Sequence, residues 1–468
     1  MARGKKEERQ AAGGMALIAI VGLAIAFLLH MGFLNVVRNG NLLSETNLLF
    51  ATLIFYSGAA ALYLGFGVTG AESYVKFASL ATWLGLIANT GALAHRWYDA
   101  GHPPFSNVYE MLLSSVWALA VLTLIAEKKY GVKVIGTVTM PVAIVGVVLM
   151  QLLRTEVHPL VPLLQSTWLN VHVTLAILAY ATCALSFALA MMFLIQDNMK
   201  TETFLAITSA STLAIYASVV LTCFERWGGL SLFAWNQDRK AEIFLSQRVR
   251  VFVTVSDLAW LMTLAFLVVA MPLVCYGLAR LKNNDRFLTL ANHCIFPSIL
   301  LQAMTLIVLL VRVGDGRYPS PGAGGALPKT LAASPFILTG LVSSIFISLL
   351  FLLLVWRRPD LERLLPSPDK LDRLTYRTIC LAFPLLTLTI ATGAYWANQT
   401  WGSYWSWDPK ETWAAITWLV YALYLHMRIT VGWRGRRAAY FAIAGFAVVI
   451  FTFFGVTYLL RGMHAFST

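Results

Sequence analysis

Apolar runs of about twenty residues recur along the whole chain and constrain its fold more than any other feature. A run of that length, folded as a helix, crosses the ~30 Å hydrocarbon core of a bilayer. Hydrophobic residues make up 59% of the 468 positions and charged residues only 12%, whereas soluble domains carry about 25% charge. The sequence therefore predicts an all-α polytopic integral membrane protein.

The apolar pattern predicts about thirteen transmembrane helices. Their predicted bounds are 14–38, 45–69, 71–94, 106–126, 131–153, 168–196, 202–224, 252–280, 287–312, 335–356, 377–398, 410–431 and 437–461. A cytoplasmic N-terminus places most of the 35 Lys and Arg residues in internal loops, as the positive-inside rule requires. The net charge of +13 then reflects topology, and nucleic acid is excluded as a partner.

The termini and cysteines exclude several other classes. The first ten residues resemble the start of a signal peptide, but the long apolar run after them predicts a retained first span. All five cysteines lie in or beside apolar runs, and none forms a CxxC motif. This pattern argues against a disulfide framework, a zinc site or a thioredoxin-like thiol pair.

One predicted external loop is unusually rich in aromatic residues. The segment 401–413 reads WGSYWSWDPKETW, and its aromatic residues are Trp401, Tyr404, Trp405, Trp407 and Trp413. Such residues commonly form a belt at the membrane interface. Rigid aromatic rings crowded into one turn also suit a flat amphipathic ligand such as a porphyrin. The residues alone leave both interpretations open.

The end of this loop predicts the start of a helix. Asp408, Pro409 and Glu411 occupy the N-cap, N1 and N3 positions of a capping box. We therefore expect the two carboxylates to cap the helix and not to act as a catalytic acid and base.

The segment 371–428, which contains the aromatic loop, resembles the tryptophan-rich WWD segment of the haem handling protein superfamily. Its DPKETW continuation is most similar to the CcsA/ResC family of system II cytochrome c biogenesis. The stretches GHPPFSNVYEM (101–111), PLLQSTWLNVHV (162–173) and FFGVTYLLRGMH (453–464) carry the same resemblance. Residues 202–370 show no counterpart in the usual CcsA pattern, and their role stays open.

The resemblance divides the chain into four parts. They are two N-terminal spans (1–70), the first part of a CcsA-like core (71–200), additional spans and loops (201–370) and the WWD segment with the last spans (371–468).

The resemblance implies a component of a cytochrome c synthase (haem lyase) in the bacterial inner membrane. It would move haem b to the external face and present it to the CxxCH segment of apocytochrome c. The implied partners are a CcsB/ResB-type membrane subunit and, indirectly, thiol-reducing proteins. No protein nucleophile is needed, because the apocytochrome supplies the thiols.

Two histidines lie at similar predicted depth beside the aromatic loop. His172 begins the sixth predicted span and His464 follows the last one. Two imidazoles facing each other close a six-coordinate haem iron. The resemblance implies that this pair ligates the external haem, with Trp401, Tyr404, Trp405, Trp407, Asp408 and Trp413 around it. Arg96, Arg154 and Arg461 are candidates for binding the haem propionates.

A third histidine lies inside a predicted span. His426 is close to the inner end of the span 410–431, where an ionisable group is costly and marks a functional site. The resemblance implies that it ligates a haem within the membrane. Its second ligand is either a histidine of the partner subunit or His293, which lies about 10 Å into its own span by helical rise.

Two other functions are compatible with these features. The chain could be a haem exporter or chaperone without lyase activity of its own, or a bis-histidine electron-transfer cytochrome. The second is disfavoured because its ligands would lie on facing spans at bilayer depth and not beside an aromatic platform.

Overall fold

A computed structural model describes residues 43–151, 164–197, 229–235, 248–254, 256–314 and 358–460 as continuous stretches. It also describes residue 200 and scattered positions between 202 and 217 and between 340 and 352. The predicted span 14–38 lies outside these residues, as do His464, Arg154 and Arg461. The chain divides into two compact units, one built from residues 1–150, 155–198 and 357–468 and the other from 151–154 and 199–356.

All regular secondary structure in the described part of the first unit is helical. Its helices are α1 (Glu45–Thr69), α2 (Glu72–Ala100), α3 (Val108–Tyr130), α4 (Gly136–Gln151), α5 (Thr167–Gln196), α8 (Arg358–Leu364), α9 (Pro368–Trp401), α10 (Pro409–Ile429), α11 (Arg436–Ile450) and α12 (Val456–Leu459). One π-helical turn, Phe451–Gly455, joins α11 to α12. Helix α5 packs mainly against α9 and also contacts α3 and α11, so it lies at the centre of this unit.

The second unit contains two helices and one hairpin among its continuously described residues. They are β1 (Gly229–Trp235), β2 (Arg248–Thr254), α6 (Ser256–Lys282) and α7 (Asp285–Gly314). The strands pair antiparallel, with Leu232 opposite Val251. The hairpin lies where the sequence predicted an external loop, and the span predicted at 252–280 begins at Ser256 instead. Valine residues alternate along RVRVFVT (248–254), and a period of two residues favours a strand. The long apolar run that follows this segment made the alternation hard to recognise in the sequence.

Eight helices among the described residues are long and apolar enough to cross a membrane. They correspond to α1, α2, α3, α5, α6, α7, α9 and the segment Arg436–Gly455. The chain is therefore an integral membrane protein of predominantly helical fold, as the sequence predicted. Of the thirteen predicted spans, 14–38, 202–224 and 335–356 are not continuously described, so the total stays a prediction. Two predicted spans that are described do not belong to the eight: 131–153 corresponds to the shorter helix α4, and 410–431 corresponds to α10.

A buried ion cluster joins the first three helices. Arg96 of α2 is fully buried, and its Nε lies 2.9 Å from Oε1 of Glu110 on α3. Its Nη1 lies 3.7 Å from Oε2 of Glu45 on α1. The other oxygen of Glu110 accepts hydrogen bonds from the backbone N–H and hydroxyl of Ser106, at 2.8 and 2.7 Å. The cluster therefore anchors the 101–107 connection to the helices.

This arrangement changes the interpretation of Arg96. The sequence placed it in an external loop as a candidate for binding a propionate, but α2 continues to Ala100 and the guanidinium is enclosed by carboxylates. Its role in the described structure is to hold α1, α2 and α3 together.

We predict that Glu110→Gln destabilises the first unit by about 3 kcal/mol or more, because it leaves the Arg96 charge buried with a weaker partner. Thermal unfolding of the detergent-solubilised protein would measure the loss. Glu72→Gln is the matched control, since Glu72 pairs with Lys133 on the surface, where an ion pair contributes about 1 kcal/mol or less. Equal melting temperatures for the two variants would contradict the structural role of the cluster.

Candidate functional site

A cavity of about 170 Å³ lies in the first unit beside the start of α5 and the end of α9. The connection before α3, the aromatic loop, the first turn of α10 and the π-helical turn complete its wall. Most lining residues are apolar or aromatic, which is typical of small-molecule pockets. The lining residues that concern the site most are Phe105, His172, Gly393, Tyr404, Trp405 and Phe453.

His172 lies in the second turn of α5, on the cavity wall. The helix begins at this point because the Ser166 hydroxyl accepts a hydrogen bond from the Trp168 N–H at 3.3 Å. Nδ1 of His172 is 2.7 Å from the carbonyl oxygen of Thr389 on α9. A carbonyl only accepts, so Nδ1 donates to it, and in the neutral form of the imidazole the lone pair is then on Nε2. A backbone contact of this kind commonly orients a histidine that ligates metal.

Gly393 allows the imidazole to reach α9. A Cβ atom at this position would lie 2.7 Å from Cε1 and 2.8 Å from Nδ1 of His172. Heavy atoms cannot approach so closely without a shift, so the contact between His172 and Thr389 requires a residue without a side chain here. No pattern in the sequence pointed to Gly393 or Thr389, because their role depends on how α5 packs against α9.

The aromatic loop is held by its own polar groups. Gly402 ends α9 in the left-handed conformation, with φ 74°, and Trp407 has φ 59°. The capping box predicted from the sequence is confirmed, with Asp408 as N-cap and Glu411 at N3. Oε2 of Glu411 also accepts hydrogen bonds from the Ser406 backbone N–H at 2.7 Å and hydroxyl at 3.0 Å. These bonds hold residues 406–411 in one conformation, even though Trp407 is in a region that non-glycine residues rarely adopt.

The structure places the aromatic residues of the loop in three different environments. Tyr404 and Trp405 line the cavity. Trp401 packs edge-on against Trp396, with ring centroids 5.1 Å apart, and Trp413 packs against Phe451 at 4.4 Å. Trp407 lies edge-on to Trp405 at 5.9 Å, and 77% of its surface is exposed. Asp408 is buried at the helix cap.

The π-helical turn forms another part of the wall. Thr452 and Phe453 line the cavity, and the Thr452 hydroxyl lies 2.8 Å from that of Thr417 on α10. The Thr452 hydroxyl oxygen lies 2.9 Å from the carbonyl oxygen of Val448 and 3.3 Å from that of Trp413. Single π-helical turns are frequent at functional sites. This turn precedes the segment that contains His464, which lies outside the described residues.

The other predicted haem ligands lie on exposed helix faces. His426 of α10 is exposed, and its Nδ1 is 3.4 Å from the Thr430 hydroxyl. His293 of α7 is exposed as well, and its Nδ1 is 2.7 Å from the Thr289 carbonyl oxygen. The two residues belong to different units, so their pairing stays a prediction.

Comparison with known proteins agrees with the resemblance noted from the sequence. The profile of the family described as "Cytochrome C assembly protein" matches residues 105–224 and 240–464. Most of 202–370 is thus part of the family pattern, contrary to the expectation that this segment has no counterpart in it.

Curated relatives resemble the chain over most of its length. The cytochrome c biogenesis protein CcsA of Nostoc punctiforme is 32% identical over 427 residues, covering 90% of this chain and 95% of its own. CcsA of Crocosphaera subtropica is 33% identical and covers 82% of this chain and 89% of its own. CcsA of Rippkaea orientalis is 32% identical and covers 93% of this chain and 99% of its own. The chain therefore belongs to the CcsA family of cytochrome c biogenesis proteins and takes part in cytochrome c maturation.

Proposed function

We propose that the chain moves haem b to the outer face of the membrane and presents it there for covalent attachment to apocytochrome c. The observation that carries this proposal is the His172 imidazole, held at the wall of an aromatic cavity by the Thr389 carbonyl and the space at Gly393. The residues fit haem, because a neutral imidazole with its lone pair on Nε2 binds iron and flat aromatic walls suit a porphyrin.

The chain's own groups would bind and orient the haem substrate. His172 would bind one face of the iron from α5, and His464 the other face from the C-terminal segment. Tyr404 and Trp405 would contact the ring from the loop. The low polarity of the wall would exclude water and oxidants from the bound haem.

The attachment reaction needs no acid, base or nucleophile from the protein. Each cysteine S–H of the CxxCH segment adds across one haem vinyl group, forming a C–S bond and placing the hydrogen on the neighbouring vinyl carbon. The addition is balanced without an external oxidant or reductant. The histidine of the same segment then replaces one of the protein's axial ligands. The protein contributes proximity and orientation.

A membrane partner completes this proposal. His426 is exposed on the same helix as Leu419 and Leu423, which are 57% and 43% exposed. A histidine on such a surface is accessible to a second subunit. We propose that a CcsB/ResB-type partner supplies the second ligand for a haem held by His426, with His293 of this chain as the alternative.

We predict that His172→Ala abolishes covalent haem on a reporter cytochrome c, and we expect the same of His464→Ala. The variants would be expressed with the reporter in a host that lacks its own maturation genes, with and without a CcsB-type partner. Haem staining of the denatured reporter measures attachment. Added imidazole should restore part of the activity, because it can occupy the vacated coordination site.

His95→Ala is the matched histidine control, since His95 pairs with Asp99 on α2 and does not line the cavity. Normal maturation by the His172 variant would refute the ligand assignment. Haem bound to the purified chain, with an unmodified reporter under every condition, would support the exporter function instead.

We also predict that Gly393→Ala weakens haem binding roughly 10- to 100-fold, as loss of a ligand's orienting contact commonly does. The added methyl would displace the His172 ring from Thr389. Absorption titration of the purified protein with haem measures this change. Gly58→Ala on α1 is the control, because no atom lies within 4 Å of the Cβ it would add. Unchanged affinity in the Gly393 variant would contradict the proposed role of the close approach.

A further inference from the structure

The carboxylate of Glu411, at the start of α10, is the only one among the described residues that line the cavity. Its Oε2 accepts hydrogen bonds from the Ser406 backbone N–H, the Ser406 hydroxyl and the Asp408 backbone N–H, at 2.7, 3.0 and 3.3 Å. Its Oε1 is buried and accepts no hydrogen bond from any described residue, although Lys410 lines the same cavity. The capping box therefore uses one oxygen of Glu411 and leaves the other for a different donor.

A buried carboxylate oxygen is costly unless a hydrogen-bond donor meets it. His172 is not that donor, since its Nδ1 contacts the Thr389 carbonyl oxygen and its Nε2 is the nitrogen proposed to bind iron. Haem is not the donor either, because its pyrrole nitrogens have lost their protons to iron, its propionates are anions and its vinyl groups have no polar hydrogen. A donor must therefore come from a further group that enters the cavity with haem.

We infer that Oε1 of Glu411 accepts a hydrogen bond from the imidazole that binds iron opposite His172. This inference rests on the proposed function. An imidazole bound through one nitrogen carries an N–H on the other, and in metal sites this N–H commonly donates to a carboxylate or a carbonyl. His172 already has a carbonyl on α9, whereas Glu411 reaches the cavity from α10, which packs against α9 and α11. Glu411 is a positioning residue that sets the ring direction of the second ligand.

Two histidines can supply this imidazole in turn. His464 is the proposed ligand before attachment, and the histidine of the apocytochrome CxxCH segment replaces one of the two protein ligands. His172 is held by the packing of α5 against α9, so His464 is the ligand that leaves. Glu411 then holds the incoming histidine on the iron while the thiols of the same segment reach the vinyl groups.

Imidazole and 1-methylimidazole test the inference, because the methyl group of the second compound removes the N–H. The purified full chain carrying His464→Ala and bound haem is titrated with each compound by absorption spectroscopy. We expect imidazole to bind roughly 10- to 100-fold more tightly, the range given by a hydrogen bond to a charged group. Equal affinity for the two compounds would overturn the inference without any further variant.

Glu411→Gln in the same background removes the acceptor and keeps the shape of the side chain. Gln also occurs at N3 of capping boxes, and its NH2 group replaces one carboxylate oxygen by a donor. Imidazole binding should weaken to the level of 1-methylimidazole, whose binding stays nearly unchanged. If both weaken equally, or if the preference persists, Glu411 has only its structural role. Ser406→Ala is the matched control, since it removes the hydroxyl bonded to Oε2 and should keep the preference.

A peptide separates the two sources of the imidazole. It carries the CxxCH segment with both cysteines replaced by serine, and it is titrated into the haem-loaded chain with His464 intact. We expect it to bind roughly 10-fold more tightly than the same peptide methylated at Nδ1 of its histidine, and equally in Glu411→Gln. If only free imidazole shows the preference, the contact belongs to His464 and the substrate part of the inference is refuted.

His172→Ala distinguishes failure of this inference from failure of the proposed function. The variant should bind haem at least 10-fold more weakly, because it lacks an iron ligand. If its haem affinity does not change, the haem site is misassigned and both proposals are refuted. If its affinity decreases while Glu411→Gln keeps the preference for imidazole, only the role of Glu411 is refuted. Repeating the titrations in a His426→Ala background removes any contribution from a haem held within the membrane.

Discussion

The candidate site depends on one close contact between two helices. The imidazole of His172 on α5 reaches the Thr389 carbonyl on α9, and it does so through the space left by Gly393. This contact sets the tautomer of the histidine, its ring direction and the local separation of the helices. The centre of the first unit and the wall of the cavity are therefore determined by the same packing. The site cannot be altered here without also altering the packing of α5 against α9.

The five aromatic residues of the aromatic loop have different structural roles. Trp401 and Trp413 pack against neighbouring aromatic rings, while Tyr404 and Trp405 form the cavity wall and Trp407 is exposed. The loop keeps this arrangement because Glu411 bonds to Ser406 and Asp408 caps α10. These polar groups thus make the loop rigid before any ligand binds. A rigid loop loses little conformational entropy when a flat ligand binds to it, so less of the binding free energy is spent on ordering it.

A second polar cluster supports the part of the cavity wall that precedes α3. Glu110 binds Arg96 through one oxygen and Ser106 through the other, and Ser106 and Phe105 line the cavity. The bonds of Glu110 therefore connect the helical core directly to the cavity wall. This also explains why Arg96, a plausible propionate partner by sequence position alone, has a structural role.

The sequence by itself determined the membrane-spanning helical class, the family and the capping box, because these depend on local composition, hydrophobic run length and short motifs. It also singled out His172 and the aromatic loop. It did not reveal the paired strands Gly229–Trp235 and Arg248–Thr254, the roles of Thr389 and Gly393, or the separation of the five aromatic residues. Those features depend on which faces of α5, α9 and α10 meet. The contact between His172 and Thr389 joins helices that are distant along the chain. Only the tertiary structure determines it, because it depends on how α5 packs against α9.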